Sequence, residues 1–224
     1  MFSFLCPKIK RTVTATENPL ISDGGASSTL FMTPKSPNDG FLFETTYYHD
    51  KWSKLPNNAQ GATGIPPYHF HWKQEEIFVV EKGAVIFKVD GKDFKGTAAD
   101  GEISVPGGAY HLFYPDISTG EDVVLKIWAL PDYGADEQFF RNLFSYLEDC
   151  KINKKKPSTF QLLLFLHEHD ISIAIPNLPK PLGKFVGKYL LGAFGGKFIG
   201  KWMLGYQASY KEYYAGDTAE KKKN

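Results

Sequence analysis

From Gly40 to Leu130 the chain is a succession of short runs rich in β-branched and aromatic residues: Phe41–Tyr48, Tyr68–Trp72, Ile77–Val80, Ala84–Val89, Lys92–Thr97, Ile103–Val105, His111–Tyr114 and Val123–Ala129. Each has the length and composition of a β-strand. Turn compositions separate them: Glu81-Lys82-Gly83, Asp90-Gly91, Asp100-Gly101, Pro106-Gly107-Gly108 and Pro115-Asp116. Asp90-Gly91, between two such runs, is the strongest hairpin signal in the chain. Many short strands with frequent turns and no helical pattern between them predict an antiparallel sandwich or barrel rather than βαβ units. The first forty residues hold Pro, Gly, Ser, Thr and Asn in clusters with one β-rich run, Ser28 to Met32, and read as an extended arm feeding an edge strand.

After Pro131 the period changes. Phe139, Phe140, Leu143, Phe144 and Leu147 form a helical stripe, with Asp136 and Glu137 in the first turn, where the helix dipole favours acids. Lys154-Lys155-Lys156-Pro157 ends that element, and Ser158 is placed to cap a second apolar helix from Phe160 to about Leu166, closed before Pro176. A third stretch, Leu182 to Tyr206, is aromatic and apolar but interrupted by glycines, among them Gly183, Gly187, Gly192, Gly195, Gly196 and Gly200. The organisation predicted is an N-terminal arm (1–40), a mainly β, antiparallel barrel (41–131) and a C-terminal α-helical extension (132–224).

Composition narrows the class. With 42% hydrophobic, 15% aromatic and 23% charged residues, the 224-residue chain is globular rather than disordered or a disulfide scaffold. Its net charge of +1 argues against a nucleic-acid footprint. The charge is nevertheless uneven: residues 1–150 carry 13 basic and 20 acidic side chains (net −7), and residues 151–224 carry 13 and 5 (net +8). Cys6 and Cys150 match no metal-thiolate spacing, and no secretory leader is read at the start, so the cytoplasm is the expected compartment.

The chemistry concentrates in Gly64-Ile-Pro-Pro-Tyr-His69-Phe-His71-Trp-Lys-Gln-Glu75-Glu76 and the stretch leading to Gly83. Two histidines at i and i+2 of a strand share one face. Glu76 follows, and His111 arrives from a separate strand after Pro106-Gly107-Gly108. Three imidazoles and one carboxylate suit Fe, Mn, Ni, Co or Zn and leave positions open for catalysis. Glu75 competes with Glu76 as the carboxylate. His49, His167 and His169 lack a partner at ligand spacing; His167-Glu168-His169-Asp170 reads as the polar end of an apolar helix, because i and i+2 on a helix do not face each other.

These residues resemble the two motifs of the cupin superfamily. His69-x-His71, four residues, Glu76, six residues and Gly83 match the first, although Gly64 precedes His69 by five positions where the family pattern has six. Gly101, four residues, Pro106-x-Gly108, two residues and His111 match the second, with its leading spacing one short and Pro115 in place of the closing Asn. Neither departure removes a ligand. The resemblance covers roughly residues 28–131 and implies a jelly-roll barrel with one divalent transition metal in its mouth, iron first, held by His69, His71, Glu76 and His111. Glu76 is also the candidate catalytic base. The helical tail is similar to an extension found on some fungal single-domain cupins. The activity so implied is that of a metal-dependent oxidoreductase, a dioxygenase of secondary metabolism first. A decarboxylase or isomerase is the alternative within the enzymes, and a non-catalytic metal- or ligand-binding cupin the alternative outside them.

Strand alternation then assigns Val85, Phe87, Leu125, Ile127 and Phe78 to the interior, an apolar surround that suits a small aromatic or polyketide-like substrate. No phosphate loop is present, and Arg11 and Arg141, the only arginines, lie outside the barrel segment. Phe70, Trp72, Tyr110 and Leu112 fall on the outer face and require cover by the tail, the arm or a second subunit of a homodimer. In the third tail stretch, lysines 184, 188, 197 and 201 interleave with Phe185, Tyr189, Phe194, Phe198 and Trp202. That stretch reads as a glycine-flexed hairpin docked on protein and bent near Gly195-Gly196, with membrane contact weak at most and no transmembrane span.

Overall fold

The computed structural model describes residues 9–32, 41–59, 61–131, 136–175 and 177–216; Cys6 and Pro176 lie outside them. Two compact units divide the chain: Asn18–Tyr133, and residues 1–17 together with 134–224.

The first unit is built from ten strands: β1 (Leu20–Ser22), β2 (Ser27–Met32), β3 (Phe41–Tyr47), β4 (His69–His71), β5 (Glu75–Lys82), β6 (Ala84–Val89), β7 (Lys92–Thr97), β8 (Glu102–Val105), β9 (His111–Pro115) and β10 (Val123–Leu130), with a short helix α1 (His49–Trp52) after β3. One sheet runs β1-β2-β3-β10-β5-β8; in the other the strands of this unit run β4-β9-β6-β7. From β3 onward the chain alternates between the sheets, except at the β6–β7 hairpin, so that late strands insert beside early ones, β10 between β3 and β5, and β9 between β4 and β6. This is the order of a jelly roll. β10 shows why the sequence settles there: Val123, Leu125, Ile127 and Ala129 are buried, and the residues between them are half-buried, in strict alternation.

The predicted hairpin is present. β6 pairs with β7 through Val89↔Lys92, and the two loop residues, Asp90 (φ 48°) and Gly91 (φ 81°), both take the left-handed conformation of a type I′ turn. Differences are confined to edges. β2 is not an edge strand: β1 pairs on its outer side through Leu20↔Thr29. β1 has only three residues, too few to carry an alternation signal.

In the second unit α2 (Glu137–Ile152) starts where the acids predicted: the Asp136 carboxylate accepts from the Phe139 N–H at 2.8 Å. Its inner face is more polar than the stripe implied. Asp149 accepts from the Thr12 N–H (2.9 Å), the Thr12 hydroxyl (2.6 Å) and the Tyr213 hydroxyl (2.5 Å), while Asn142 accepts from the Tyr210 N–H (2.8 Å). Helix α3 (Thr159–Glu168) begins after Ser158, whose hydroxyl makes no capping bond; its N–H instead donates to the Tyr146 hydroxyl at 2.9 Å.

A short strand, β11 (Ile171–Ile173), and helix α4 (Lys180–Phe185) lead into a π-helix of i→i+5 type, Val186–Leu204. It runs without a break through Gly195-Gly196, so the expected bent hairpin does not form. The wider winding explains the sequence. At about 100° per residue, nine residues place Phe185 and Phe194 on opposite faces of an α-helix; steps of four and five residues bring Phe185, Tyr189, Phe194, Phe198 and Trp202 onto one face of a helix closed by i→i+5 bonds. The opposite face is glycine. A Cβ on Gly196 would stand 2.7 Å from the Leu163 carbonyl, and Gly192, Gly195 and Gly200 similarly abut His167, Leu163 and Phe160 of α3. The role observed for these glycines is close helix contact. Among the described residues no helix is long and apolar enough to cross a membrane.

Candidate metal centre

Strand β4 supplies His69 and His71, two residues apart and therefore on one face, and their Nε2 atoms lie 3.3 Å apart. Directly across the ladder, β9 sets His111 in register with His69. From the other sheet, β5 turns Glu76 inward and Glu75 outward, following its exposed-buried alternation. Glu76 Oε2 comes within 2.8 Å of His111 Nε2 and 3.6 Å of His71 Nε2. Each residue thus offers one donor atom, all four lie within 4.8 Å of one another, and all four residues are buried.

The far side of each imidazole fixes which nitrogen faces the cluster. His69 Nδ1 lies 2.8 Å from the Pro67 carbonyl and His111 Nδ1 lies 3.0 Å from the Ala109 carbonyl. A carbonyl oxygen only accepts, so both Nδ1 atoms carry the hydrogen. His71 Nδ1 meets Gln74 Oε1 at 3.2 Å, and the Gln74 amide N–H donates to the Pro131 carbonyl at 3.1 Å, which commits Oε1 to the acceptor role. Three rings therefore present Nε2 to a common point, held by the outer hydrogen bonds that orient metal-binding histidines. A divalent transition metal fits this donor set of three borderline nitrogens and one carboxylate oxygen.

Electrostatics favour the same use. Burial alone would raise Glu76, but the His71 charge, the His111 hydrogen bond and the remaining imidazoles bring it down to about 2. Burial pushes His69 well below the usual imidazole value, reinforced by His111 and His71. Burial would also lower His111, yet its hydrogen bond and charge contact with Glu76 leave it raised. The cluster is thus anionic at Glu76 and neutral at His69 around neutrality, while a cation would compete with the proton that Glu76 favours on His111.

Glu75, the competing carboxylate, is exposed and accepts a hydrogen bond from the Ser104 hydroxyl. His49, His167 and His169 stay outside the cluster: His49 lies beside Asp50, and His169 packs on Phe139 with Asp136 at 3.5 Å. Val85, Phe87, Leu125, Ile127 and Phe78 are all buried as alternation assigned them. Phe78, however, packs on Phe87 and on Phe113, both with ring centroids 5.1 Å away, so these rings fill the interior against one another. The ladder partners of Glu76 on either side are small, Ala129 and Val105. Phe70 and Tyr110, on the face away from the histidines, are buried and stacked at 5.1 Å, with Trp72 and Leu112 half-buried. Sequence reasoning did not find Gln74; its place three residues after His71 is a local signal, but the Pro131 carbonyl that orients it is remote in sequence.

A jelly roll that gathers three histidines and a glutamate from two motifs into one buried cluster defines a class of protein able to bind a metal. No family model matches the chain. Curated relatives do: the probable oxidoreductase virH of Hypocrea virens is 37% identical over 215 residues, covering 94% of this chain and 93% of that protein. The oxidoreductase iacF of Pestalotiopsis fici is 35% identical over 156 residues (68% of this chain, 74% of that protein), and the epoxidase atD of Aspergillus terreus 30% over 218 residues (92% and 66%). The chain belongs to this family of fungal oxidoreductases. Among solved structures, CapF of Staphylococcus aureus is similar over 52% of this chain and 32% of its own, at 14% identity and a TM-score of 0.38. KdgF of a Halomonas species is similar over 54% and 92%, at 10% and 0.34.

Proposed function

We propose that this protein is a mononuclear metal-dependent cupin oxygenase acting on a small apolar molecule, aromatic or polyketide-like, in fungal secondary metabolism. The observation that carries the proposal is the convergence of His69, His71 and His111 Nε2 and the Glu76 carboxylate, with every outer ring nitrogen already committed to an acceptor. A divalent metal bound there, iron first, would supply Lewis acidity and the redox capacity that activation of dioxygen requires. The residues hold and orient: Pro67, Gln74 and the Ala109 carbonyl set the imidazole planes, and Glu76 lowers the cluster's net charge. A carboxylate held at about 2 is a weak base, so Glu76 serves as ligand in this proposal rather than as proton acceptor. Ala129 and Val105, apolar ladder partners of Glu76, would border a substrate that meets the open coordination positions.

The name epoxidase carried by one relative makes oxygen transfer to an electron-rich double bond a reaction to test beside ring oxidation. The same proposal has the protein working as a homodimer in the cytoplasm, with a small-molecule substrate and no nucleic acid. Purified protein is assayed for metal content by elemental analysis and then for oxygen uptake with phenols, quinones, conjugated alkenes and β-diketones. Oxygen consumption that requires both metal and substrate supports the oxygenase. Carbon dioxide release or isomerisation without oxygen consumption moves the protein to the decarboxylase or isomerase alternative, and tight substrate binding with no turnover moves it to the non-catalytic one.

A further inference from the structure

The π-helix leaves one face unpartnered, and that face has a definite chemistry. Phe185, Tyr189, Phe194 and Trp202 are 51–61% exposed and Phe198 is 43% exposed, so five aromatic rings stand in solvent along one helix. Neighbouring rings touch one another: Phe194 stacks on Phe198 at 5.6 Å, Phe198 meets Trp202 at 6.0 Å, and Phe185 meets Tyr189 at 5.0 Å. A shallow, open hollow lies among Tyr189, Ala193, Phe194 and Phe198. The glycine face cannot turn outward in exchange, since it is seated on α3 too closely to admit a Cβ at Gly196.

Charge decides what fits the exposed stripe. A lysine stands immediately before four of the five rings, as Lys184-Phe185, Lys188-Tyr189, Lys197-Phe198 and Lys201-Trp202, so the cations form a row along one flank of the aromatic row. Between Lys180 and Leu204 there is no Asp or Glu, although Glu168 of α3 pairs with Lys201 at 3.2 Å. Two copies of this helix laid face to face and antiparallel would bring their lysine rows to the same side, which disfavours that self-pairing. An anionic bilayer surface meets both demands at once: aromatic rings settle at the headgroup level, and lysine stems lie along apolar surface while their ammonium groups reach lipid phosphates. The length suits lying in the interface, and the helix is not apolar enough to cross.

We infer that the aromatic stripe from Phe185 to Trp202 is a peripheral docking surface for an anionic membrane, with the helix lying in the plane of the headgroups. This departs from the weak contact expected from sequence, because that expectation assigned the rings to a protein interface and the structure leaves them exposed. It is independent of the metal centre.

The test floats the full-length protein with vesicles of phosphatidylcholine mixed with phosphatidylserine and with vesicles of phosphatidylcholine alone, and records tryptophan emission in parallel. The expected result is binding about tenfold or more stronger to the anionic vesicles, reversed by salt, with a blue shift that disappears in Trp202→Phe. Phe194→Ser combined with Phe198→Ser should abolish flotation, and Lys188→Gln combined with Lys197→Gln should weaken it roughly tenfold; circular dichroism melts confirm that these surface variants stay folded. Absence of flotation with anionic vesicles overturns the inference, as does flotation unchanged in the aromatic variant. A wild type that ignores vesicles but dimerises, and becomes monomeric in the aromatic variant, assigns the stripe to a second copy and overturns it as well. Where a variant fails to fold, the wild type decides instead: flotation insensitive to both salt and lipid charge overturns the inference, and flotation lost on adding salt supports it.

Discussion

His69 and His111 are direct partners across the β4–β9 ladder, with ring centroids 4.2 Å apart. The two motifs, separated in the sequence by the β6–β7 hairpin, are thereby brought together in one sheet, and the β5–β8 pairing joins them again in the other. Register is what makes the cluster: a one-residue slip of either strand would turn its histidines to the face occupied by Phe70 and Tyr110. The first expectation follows from that dependence. His111→Ala should bind metal at least about 100-fold more weakly, since even outer-shell losses cost 10–100-fold, while the barrel keeps its melting transition. Stoichiometric metal in purified His111→Ala, by elemental analysis, would sink the four-ligand assignment.

The two adjacent glutamates make a paired test. Glu76→Gln should lose metal and turnover, because an amide at the buried position removes the charge that the three imidazoles surround. Glu75→Gln, at the exposed position that accepts from Ser104, should behave as the parent does. The reverse order in a side-by-side metal analysis would reassign the ligand.

Gln74 is expected to act on the metal through His71. Gln74→Leu removes the acceptor for His71 Nδ1–H and should weaken metal affinity about 10–100-fold in a folded protein. Gln74→Glu, which restores an acceptor oxygen, should recover part of the loss. Chelator-competition titrations of the three proteins report this directly, and equal affinities would assign Gln74 a purely structural role.

Metal affinity should fall with acidification. His111 is raised above the usual imidazole value by Glu76, against the lowering effect of burial, so it keeps its proton to higher pH than a free imidazole would, and an incoming metal must displace that proton wherever it is held. His69, lowered chiefly by burial, holds none near neutrality. Affinity is therefore complete above the raised His111 value and declines below it, by about tenfold per pH unit for one displaced proton. Competition titrations spanning about pH 5 to 8 check this; an affinity that is flat, or rises toward acid, contradicts it.

Gly196→Ala tests the seat of the π-helix. Its new methyl group would meet the Leu163 backbone carbon and oxygen at 2.7 Å, backbone that cannot rotate away. Overpacking of this kind costs about 1–3 kcal/mol, read as a lowered thermal midpoint. An unchanged midpoint would show that the helix can slide on α3.

What the sequence by itself determined is what depends on local geometry. Period-two alternation and turn residues act over a few positions, so the strands from Phe41 to Leu130, the Asp90-Gly91 turn and the shared face of His69 and His71 are all legible. The choice of Glu76 over Glu75 rests on the spacing to Gly83 that the family resemblance implies, and the alternation of β5 agrees with it. Only tertiary structure decided the rest. The acceptor for the Gln74 amide is the distant Pro131 carbonyl, and the filling of the interior by Phe78, Phe87 and Phe113 depends on which strands oppose one another. Asp149 is buried because Thr12 and Tyr213, far away in either direction, bring hydroxyl donors to it. The clearest case is the third tail stretch. Its five rings and its glycines fall on scattered faces at the α-helical period and sort onto opposite faces only in the wider winding, and that winding is held by the close approach of the glycines to α3, a contact between segments that no local pattern encodes.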